Sequence, residues 1–280
     1  MNAFTVTARE GGTVLSAFRR ELPLLPERAL REALARRDVL VNGARVRLNG
    51  KVAAGDTLTV YTPERPLDIP VVHEDARCLV VDKPAGVNTD ENARGGFSLL
   101  YWAKERAAGR YEPLLVHRLD NQTSGLVILA KDPGSAALLE AAFRSRAVEK
   151  RYECLVMGTP RPASGVFSAW LSKDARAARV EIFGKERPGA REIVTEYRTL
   201  LAGEVARLSV LLHTGRTHQI RAHLAFLGHP VLGDDLYGDR AFNRAHRARG
   251  LKLCAVELAF PSGSGVEWLS GLRLTARAPF

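Results

Sequence analysis

The chain has 280 residues, 46% hydrophobic and 26% charged, the composition of a soluble globular protein long enough to bury a core without metal or disulfide support. Lys and Arg number 41 against 31 Asp and Glu, a formal charge of +10 with a pI near 9.9, and a surplus of that size calls for an acidic partner, nucleic acid first. Three scattered cysteines, Cys78, Cys154 and Cys254, exclude a disulfide framework and a C-x-x-C zinc knuckle, and the lack of an apolar signal core or of any apolar run near ~18 residues leaves a cytoplasmic protein, neither exported nor membrane-spanning, as the expectation.

Residues 1–62 read as a compact module by their turn chemistry. Gly11-Gly12-Thr13 precedes a short helix carrying Val14, Leu15 and Phe18. Pro26 opens a second helix over Glu27 to Arg37, since a first helical position does not need the missing N–H. Arg36 and Arg37 fall in its last turn, where the helix dipole favours cations. Val39-Leu40-Val41 and Arg45-Val46-Arg47-Leu48 flank Asn42-Gly43-Ala44, a hairpin signal because Asn and Gly accept the positive φ of a tight turn. Asn49-Gly50 and Gly55-Asp56 mark further turns before a strand over Thr57 to Tyr61. The module carries ten Lys/Arg against six Asp/Glu, a net +4. Pro63, Pro66 and Pro70 make residues 63–70 an extended linker.

Residues 71–280 alternate strand-like runs (Cys78 to Val81, Leu126 to Ala130, Leu208 to Leu212) with helical ones (Ala136 to Arg146, Thr217 to Leu227). Strands dominate, which predicts an α+β domain on a mainly antiparallel mixed sheet. Residues 172–193, rich in charge and glycine, are expected to form a loop or hairpin insert.

Three constellations carry chemistry. In the first, His117-Arg118-Leu119-Asp120-Asn121-Gln122-Thr123-Ser124-Gly125 runs straight into the apolar strand Leu126 to Ala130. A strand without alternation is buried on both faces and holds the loop before it rigidly, which suits a catalytic carboxylate. A protein kinase loop also reads H-R-x-D, but no Gly-rich phosphate loop precedes this one and no Asp-Phe-Gly follows. In the second, a helix capped by Ser135 ends near Ala147 and a strand over Val148 to Met157 follows, so that period-two alternation puts Lys150 and Tyr152 on one face, a tyrosine ring beside cations that can stack on a nucleobase. In the third, His213-Thr214-Gly215-Arg216-Thr217-His218-Gln219-Ile220-Arg221 turns a strand into a helix that Thr217 can cap. Ile220, Leu224 and Leu227 form its buried stripe, and Gly228 and Pro230 end it. Arg221 near the helix start opposes the dipole and needs a compensating anion, a phosphate or a carboxylate. His218 and His223 lie five apart and do not share a helix face, so no metal site is expected.

The order of two helices, Val41-Asn42-Gly43, Gly55-Asp56 and a strand resembles the S-four-like RNA-binding domain, a module shared with a ribosomal protein. Residues 71–261 resemble the RluA-type family of pseudouridine synthases. The matching segments are, in order, His73-Glu74-Asp75, Lys83-Pro84-Ala85-Gly86, His117-Arg118-Leu119-Asp120, Thr123-Ser124-Gly125, Lys150 with Tyr152, Gly215 to Arg221, Gly228-His229-Pro230 and Gly233-Asp234. Two departures stand out: Cys254 occupies a position where the family usually carries His, and the stretch after Gly86 is short and acidic, with Asp90 and Glu91.

The resemblance implies a cofactor-free isomerase acting on RNA. Asp120 would be the catalytic carboxylate, attacking the sugar or removing a proton from it, with Arg118 and Arg221 complementing its charge. Tyr152 would stack on the uracil and assist loss of the C5 proton, Arg221 would complete the catalytic set, and Ile220 and Leu253 would wall the pocket. Arg118, Lys150, Arg216 and His218 would contact RNA, Arg118 by filling the gap of the flipped base, since taking a base from its stack costs a few kcal/mol. The resulting expectation is residues 1–62 as the S-four-like domain, 63–70 as linker and 71–280 as the pseudouridine synthase domain, a monomer acting on structured RNA and away from membranes, with large-subunit ribosomal RNA ahead of transfer RNA. A catalytically idle RNA-binding factor is the rival of another class.

Overall fold

The computed structural model describes residues 1–47, 49–66, 68–90, 97–174 and 179–280. They form two compact units, one of residues 1–69 with 90–102 and one of residues 70–89 with 103–280.

The first unit contains β1 (Asn2–Thr7), β2 (Gly12–Thr13), α1 (Val14–Glu21), α2 (Glu27–Ala35), β3 (Val39–Val41), β4 (Ala44–Arg45), β5 (Lys51–Val52) and β6 (Thr57–Thr62). The sheet order β1-β6-β3-β4 is antiparallel throughout, and β2 pairs with β5. Both helices cover the core through short apolar stripes, Val14, Ala17 and Phe18 on α1 and Ala29, Leu30, Ala33 and Leu34 on α2. Thr13 and Ser16 close a reciprocal capping box that starts α1. The strand β1 is absent from the sequence reading; its Phe4 and Val6 alternate inward against the same core. Helix α2 stops at Ala35, earlier than the spacing predicts, because Arg37 takes a left-handed φ of 60° and turns the chain into β3. Asn42 (φ 49°) and Gly43 (φ 79°) supply the hairpin turn. The Asn42 amide donates to Asp56 and its carbonyl accepts from the Thr57 N–H, each at 2.8 Å, so the V-N-G and G-D segments form one turn network. Leu48, placed by sequence in the hairpin, lies outside the described residues.

Helix α3 (Leu99–Ala107) runs across the 102/103 division. The second unit contains β7 (Val71–Glu74), β8 (Cys78–Lys83), β9 (Leu114–Leu115), β10 (Ser124–Ala130), α4 (Pro133–Arg144), β11 (Glu149–Met157), β12 (Ser164–Asp174) and β13 (Arg179–Phe183). It continues with β14 (Arg191–Leu201), β15 (Val205–Leu212), α5 (Gln219–Phe226), α6 (Arg240–Ala245), β16 (Leu253–Ala259) and β17 (Arg273–Thr275). The sheet order is β13-β12-β14-β15-β11-β16-β10-β8-β7, with β17 on β16 and β9 on β10. This is the α+β, mainly antiparallel architecture read from the sequence. The charged, glycine-containing stretch forms the β12–β13 hairpin and the turn into β14, with residues 175–178 outside the described set.

Among the described residues one pair of strands is parallel, β10 with β16, and it organises the site. Every residue of β10 is buried. Gly125 faces Ala255 so closely that a Cβ would lie 2.2 Å from the Ala255 carbonyl oxygen, and its φ is +110°. Only glycine lets the two strands meet there, which brings Leu253 and the loop before β10 to the same end of the sheet. Asp132 rather than Ser135 caps α4, accepting from the Ser135 N–H and hydroxyl at 2.8 and 2.6 Å.

Candidate active site

Asp120 stands in the loop between β9 and β10, and both of its neighbours are clamped. The Thr89 hydroxyl donates to the Leu119 carbonyl at 2.7 Å and accepts from the Leu119 N–H at 3.2 Å. On the other side the Asn121 carbonyl accepts from the Gly86 N–H at 2.8 Å and from the Lys83 ammonium at 3.2 Å. Lys83 is fully buried and also donates to the Pro84 and Val87 carbonyls, so burial drives its pKa down to about 8 despite the nearby Asp120 and Asp82. The Lys-Pro-Ala-Gly segment thus acts on Asp120 through the backbone of residue 121. Upstream, the Nε2 of His117 accepts from the Ile128 N–H at 3.1 Å while the ring stacks on Phe143 at 4.5 Å. Burial pushes this imidazole down to about 3, so it is neutral and pins the loop to β10.

Helix α5 supplies the cation. It starts at Gln219, and the residue before it, His218, is left-handed (φ 53°) with no side-chain cap. Thr217 therefore does not cap the helix; instead the Gln219 Oε1 accepts from the Arg216 N–H at 3.1 Å and from the Thr214 hydroxyl at 2.9 Å, closing the turn from inside. Arg221 answers the anion demand twice. Its Nε and Nη2 fork onto Asp234 at 2.7 and 3.0 Å, and its Nη1 reaches Asp120 Oδ2 at 3.5 Å. Asp234 also accepts from the Leu236 and Tyr237 N–H groups at 2.8 and 2.9 Å. Burial works against both charges, yet the pair holds Arg221 above and Asp234 below their ordinary values. The misplaced cation asks for an anion, a phosphate or a carboxylate; nothing local identifies Asp234, thirteen residues away, as the closer of the two carboxylates it meets.

Asp120, Arg221, Tyr152, Lys150, Ile220, Leu253, Arg118, Arg216 and His218 all line one cavity of about 620 Å³, within the usual range for a small-molecule or single-nucleotide site. Ile220 and Leu253 are buried walls. Tyr152 is buried beside them, and burial, then the charge of Asp120, push its phenol upward, so it carries its proton. Lys150 is half-buried, its ammonium 5.8 Å from the centre of the Phe143 ring. Arg118 and Arg216 are exposed. So are Arg144 and Arg146 on the same lining, two cations the sequence reading passed over because the end of a helix gives no sign of what it borders.

Among the described residues one group offers three ligand atoms to a metal, His73, Asp75 and Cys78 on the β7–β8 hairpin. Asp75 already joins them, accepting from the Cys78 thiol at 3.6 Å and lying 3.0 Å from the His73 Nε2. Burial and Asp75 raise the thiol to about 12, the form that binds metal least.

Comparisons with known proteins identify the family. Residues 77–226 match the RNA pseudouridylate synthase family. An uncharacterised RNA pseudouridine synthase of Aquifex aeolicus is 34% identical over 82% of this chain and 80% of its own. The ribosomal large subunit pseudouridine synthase C of Vibrio parahaemolyticus is 30% identical over 92% and 88%. The solved structure of human RNA pseudouridylate synthase domain containing 1 superposes with a TM-score of 0.64 at 26% identity, covering 76% of this chain and 84% of that one. With the ordered motifs, the fold and the matched span in agreement, the chain belongs to the RNA pseudouridylate synthase family, in its RluA-type branch, and is an isomerase acting on RNA.

Proposed function

We propose that Asp120 is the carboxylate that drives isomerisation of a uridine in structured RNA, and that the RNA is large-subunit ribosomal RNA. The observation that carries the first part is the placement of Asp120 on a doubly clamped loop, with Arg221 3.5 Å from its carboxylate and the cavity open before it. The reaction detaches uracil from its sugar at N1, turns it, and joins C5 to the same sugar carbon. No electron or energy carrier is consumed, so the site must supply an ionic partner for the sugar and a slot for the free base. The Tyr152 ring, with Ile220 and Leu253 as walls, forms that slot. Because Tyr152 keeps its proton, its first role is stacking, and taking up the C5 proton falls to it only if substrate binding lowers the phenol. Arg118, Lys150 and Arg216 rim the cavity as phosphate and sugar contacts, Arg118 also filling the stack that the base leaves.

The ribosomal assignment rests on the name borne by the Vibrio relatives and on the first unit. Residues 1–62 serve as an S-four-like RNA-binding module, residues 63–70 as the linker and residues 71–280 as the catalytic domain. The test has two readings. Asp120→Asn keeps the shape and removes the charge; tritium release from C5 of labelled uridine in RNA should fall by at least about a thousandfold, the scale for a group essential to the chemical step. Mapping pseudouridines in cells with and without the protein should show a large-subunit site lost. Loss of a transfer-RNA site with every ribosomal site intact would replace the target and leave the chemistry in place.

A further inference from the structure

His218 sits at the strained turn before α5, half-buried, and both of its ring nitrogens face defined partners. Its Nδ1 lies 3.0 Å from the Tyr237 hydroxyl, and its Nε2 lies 3.9 Å from Asp120 Oδ2. The Tyr237 oxygen is itself occupied, accepting from the Val180 N–H at 2.8 Å. A phenol that already accepts one strong hydrogen bond has its own proton left to place. Among the described residues, the acceptor within reach is the His218 Nδ1. A neutral imidazole that accepts at Nδ1 carries its proton on Nε2, the nitrogen turned toward Asp120.

We infer that Tyr237 fixes the tautomer of His218 so that its Nε2–H, together with Arg221 Nη1, anchors one oxygen of Asp120 and leaves the other for the sugar. Both donors approach the same atom, Oδ2, from α5 and the turn before it. The 3.9 Å separation closes by a small ring movement when the cavity fills, or by one bridging water. His218 and Tyr237 are positioning residues in this scheme, acting through the carboxylate rather than on the base. The charged and titratable groups around the ring are Asp120, Arg221, Asp234, Lys173 and, packed on the Tyr237 ring, Arg179. The His218 ring lines the cavity, and its left-handed backbone stands where an extended cap residue belongs. The inference rests on Asp120 being the reactive carboxylate.

The tautomer is read directly from imidazole nitrogen shifts of the uniformly 15N-labelled full chain, with the His218 signal assigned by its loss in His218→Gln. The expected spectrum shows protonation at Nε2 in the parent protein and a mixture of tautomers in Tyr237→Phe. On bulk labelled RNA containing both ribosomal and transfer species, His218→Ala should lower kcat about tenfold to a hundredfold, the scale of one hydrogen bond to a charged group, with KM little changed. His218→Gln, which keeps an N–H at the same reach, should recover part of that loss. A proton on Nδ1 in the parent, or a His218→Ala loss confined to KM, overturns the inference while a dead Asp120→Asn keeps the reading beneath it. Undiminished turnover by Asp120→Asn overturns both.

Discussion

Arginine is used in opposite ways in the two units. On α1 and α2, Arg19, Arg28 and Arg31 are more than half exposed and each faces a glutamate. Such pairs are bathed in water and each adds under about 1 kcal/mol. In the catalytic unit the Arg221 side chain is 10% exposed and its fork lies on an Asp234 that is wholly buried. That pair holds a geometry rather than a charge balance, and the spare Nη1 is delivered to Asp120 as a result. The contrast teaches that net charge does not say which cations are already answered by carboxylates; pairing does. Within residues 1–62 the surplus resides in Arg37, Arg45, Arg47 and Lys51, which make no ion pair among the described residues, whereas the helix arginines are answered by carboxylates.

The largest effect is expected from breaking the buried fork. Arg221→Ala strands Asp234 in the core and should cost about 3–5 kcal/mol of stability as well as nearly all turnover; a melt and a tritium-release assay check it, and Arg221→Lys should keep some stability but little activity because an ammonium cannot fork.

Acid should separate the units next. His117, half-buried under the Phe143 ring, and His223, fully buried, are held down by desolvation to about 3 and about 4, so the unfolded chain binds their protons first. The stability they contribute is complete above about pH 6.5 and is lost as pH falls toward those values, a few kcal/mol in all. In the first unit, Glu21 and Glu27 are held below the carboxylate range by their arginines although burial opposes it, so its loss begins only below the unperturbed carboxylate value. Amide exchange between pH 6.5 and 4.5, read by peptide and corrected for intrinsic rates, should show the catalytic unit opening first, and His223→Gln should flatten that trend.

Neutralising Arg37, Arg45, Arg47 and Lys51 together should weaken RNA binding and reduce the slope of log affinity against log salt by up to about 3.6, since each phosphate contact contributes roughly 0.7 to 0.9. The smallest change is expected from Arg28→Ala, a paired surface cation: under about 1 kcal/mol in stability and no change in the salt slope. If the salt slope responds to Arg28 and not to the unpaired four, the distinction drawn from pairing is wrong.

The sequence made the apolar strand after Asp120 legible because Leu126 to Ala130 is continuous, and the structure buries all of it. Helix α5 was legible in Ile220 and Leu224 but not in its start, since the Gln219 side chain closes the turn in place of a cap, nor in its end, where Leu227 lies past the last turn and is half-buried. What escaped was tertiary. Thr89 holds Leu119 across 30 positions and Lys83 holds Asn121 across 38, and neither has a period or a turn signature to betray it. Strand β1 escaped because its six residues are mostly small or polar, with Phe4 and Val6 as its larger apolar side chains.

All three cysteines of the chain belong to the large sheet of the second unit, Cys78 on β8, Cys154 on β11 and Cys254 on β16, and all are fully buried. Cys254 pairs in register with Ser124, beside the Gly125 crossing that seats the Asp120 loop. Burial raises every one of these thiols, to about 12 for Cys78 and about 11 for Cys254, so none reacts from the closed sheet. Residues 1–69 contain no sulfhydryl at all. The molecule therefore carries its own clock: the rate at which an alkylating reagent consumes each thiol measures how often that strand parts from its neighbours, and slowing of the Cys254 reaction by bound RNA would time the tightening of the crossing beneath the Asp120 loop.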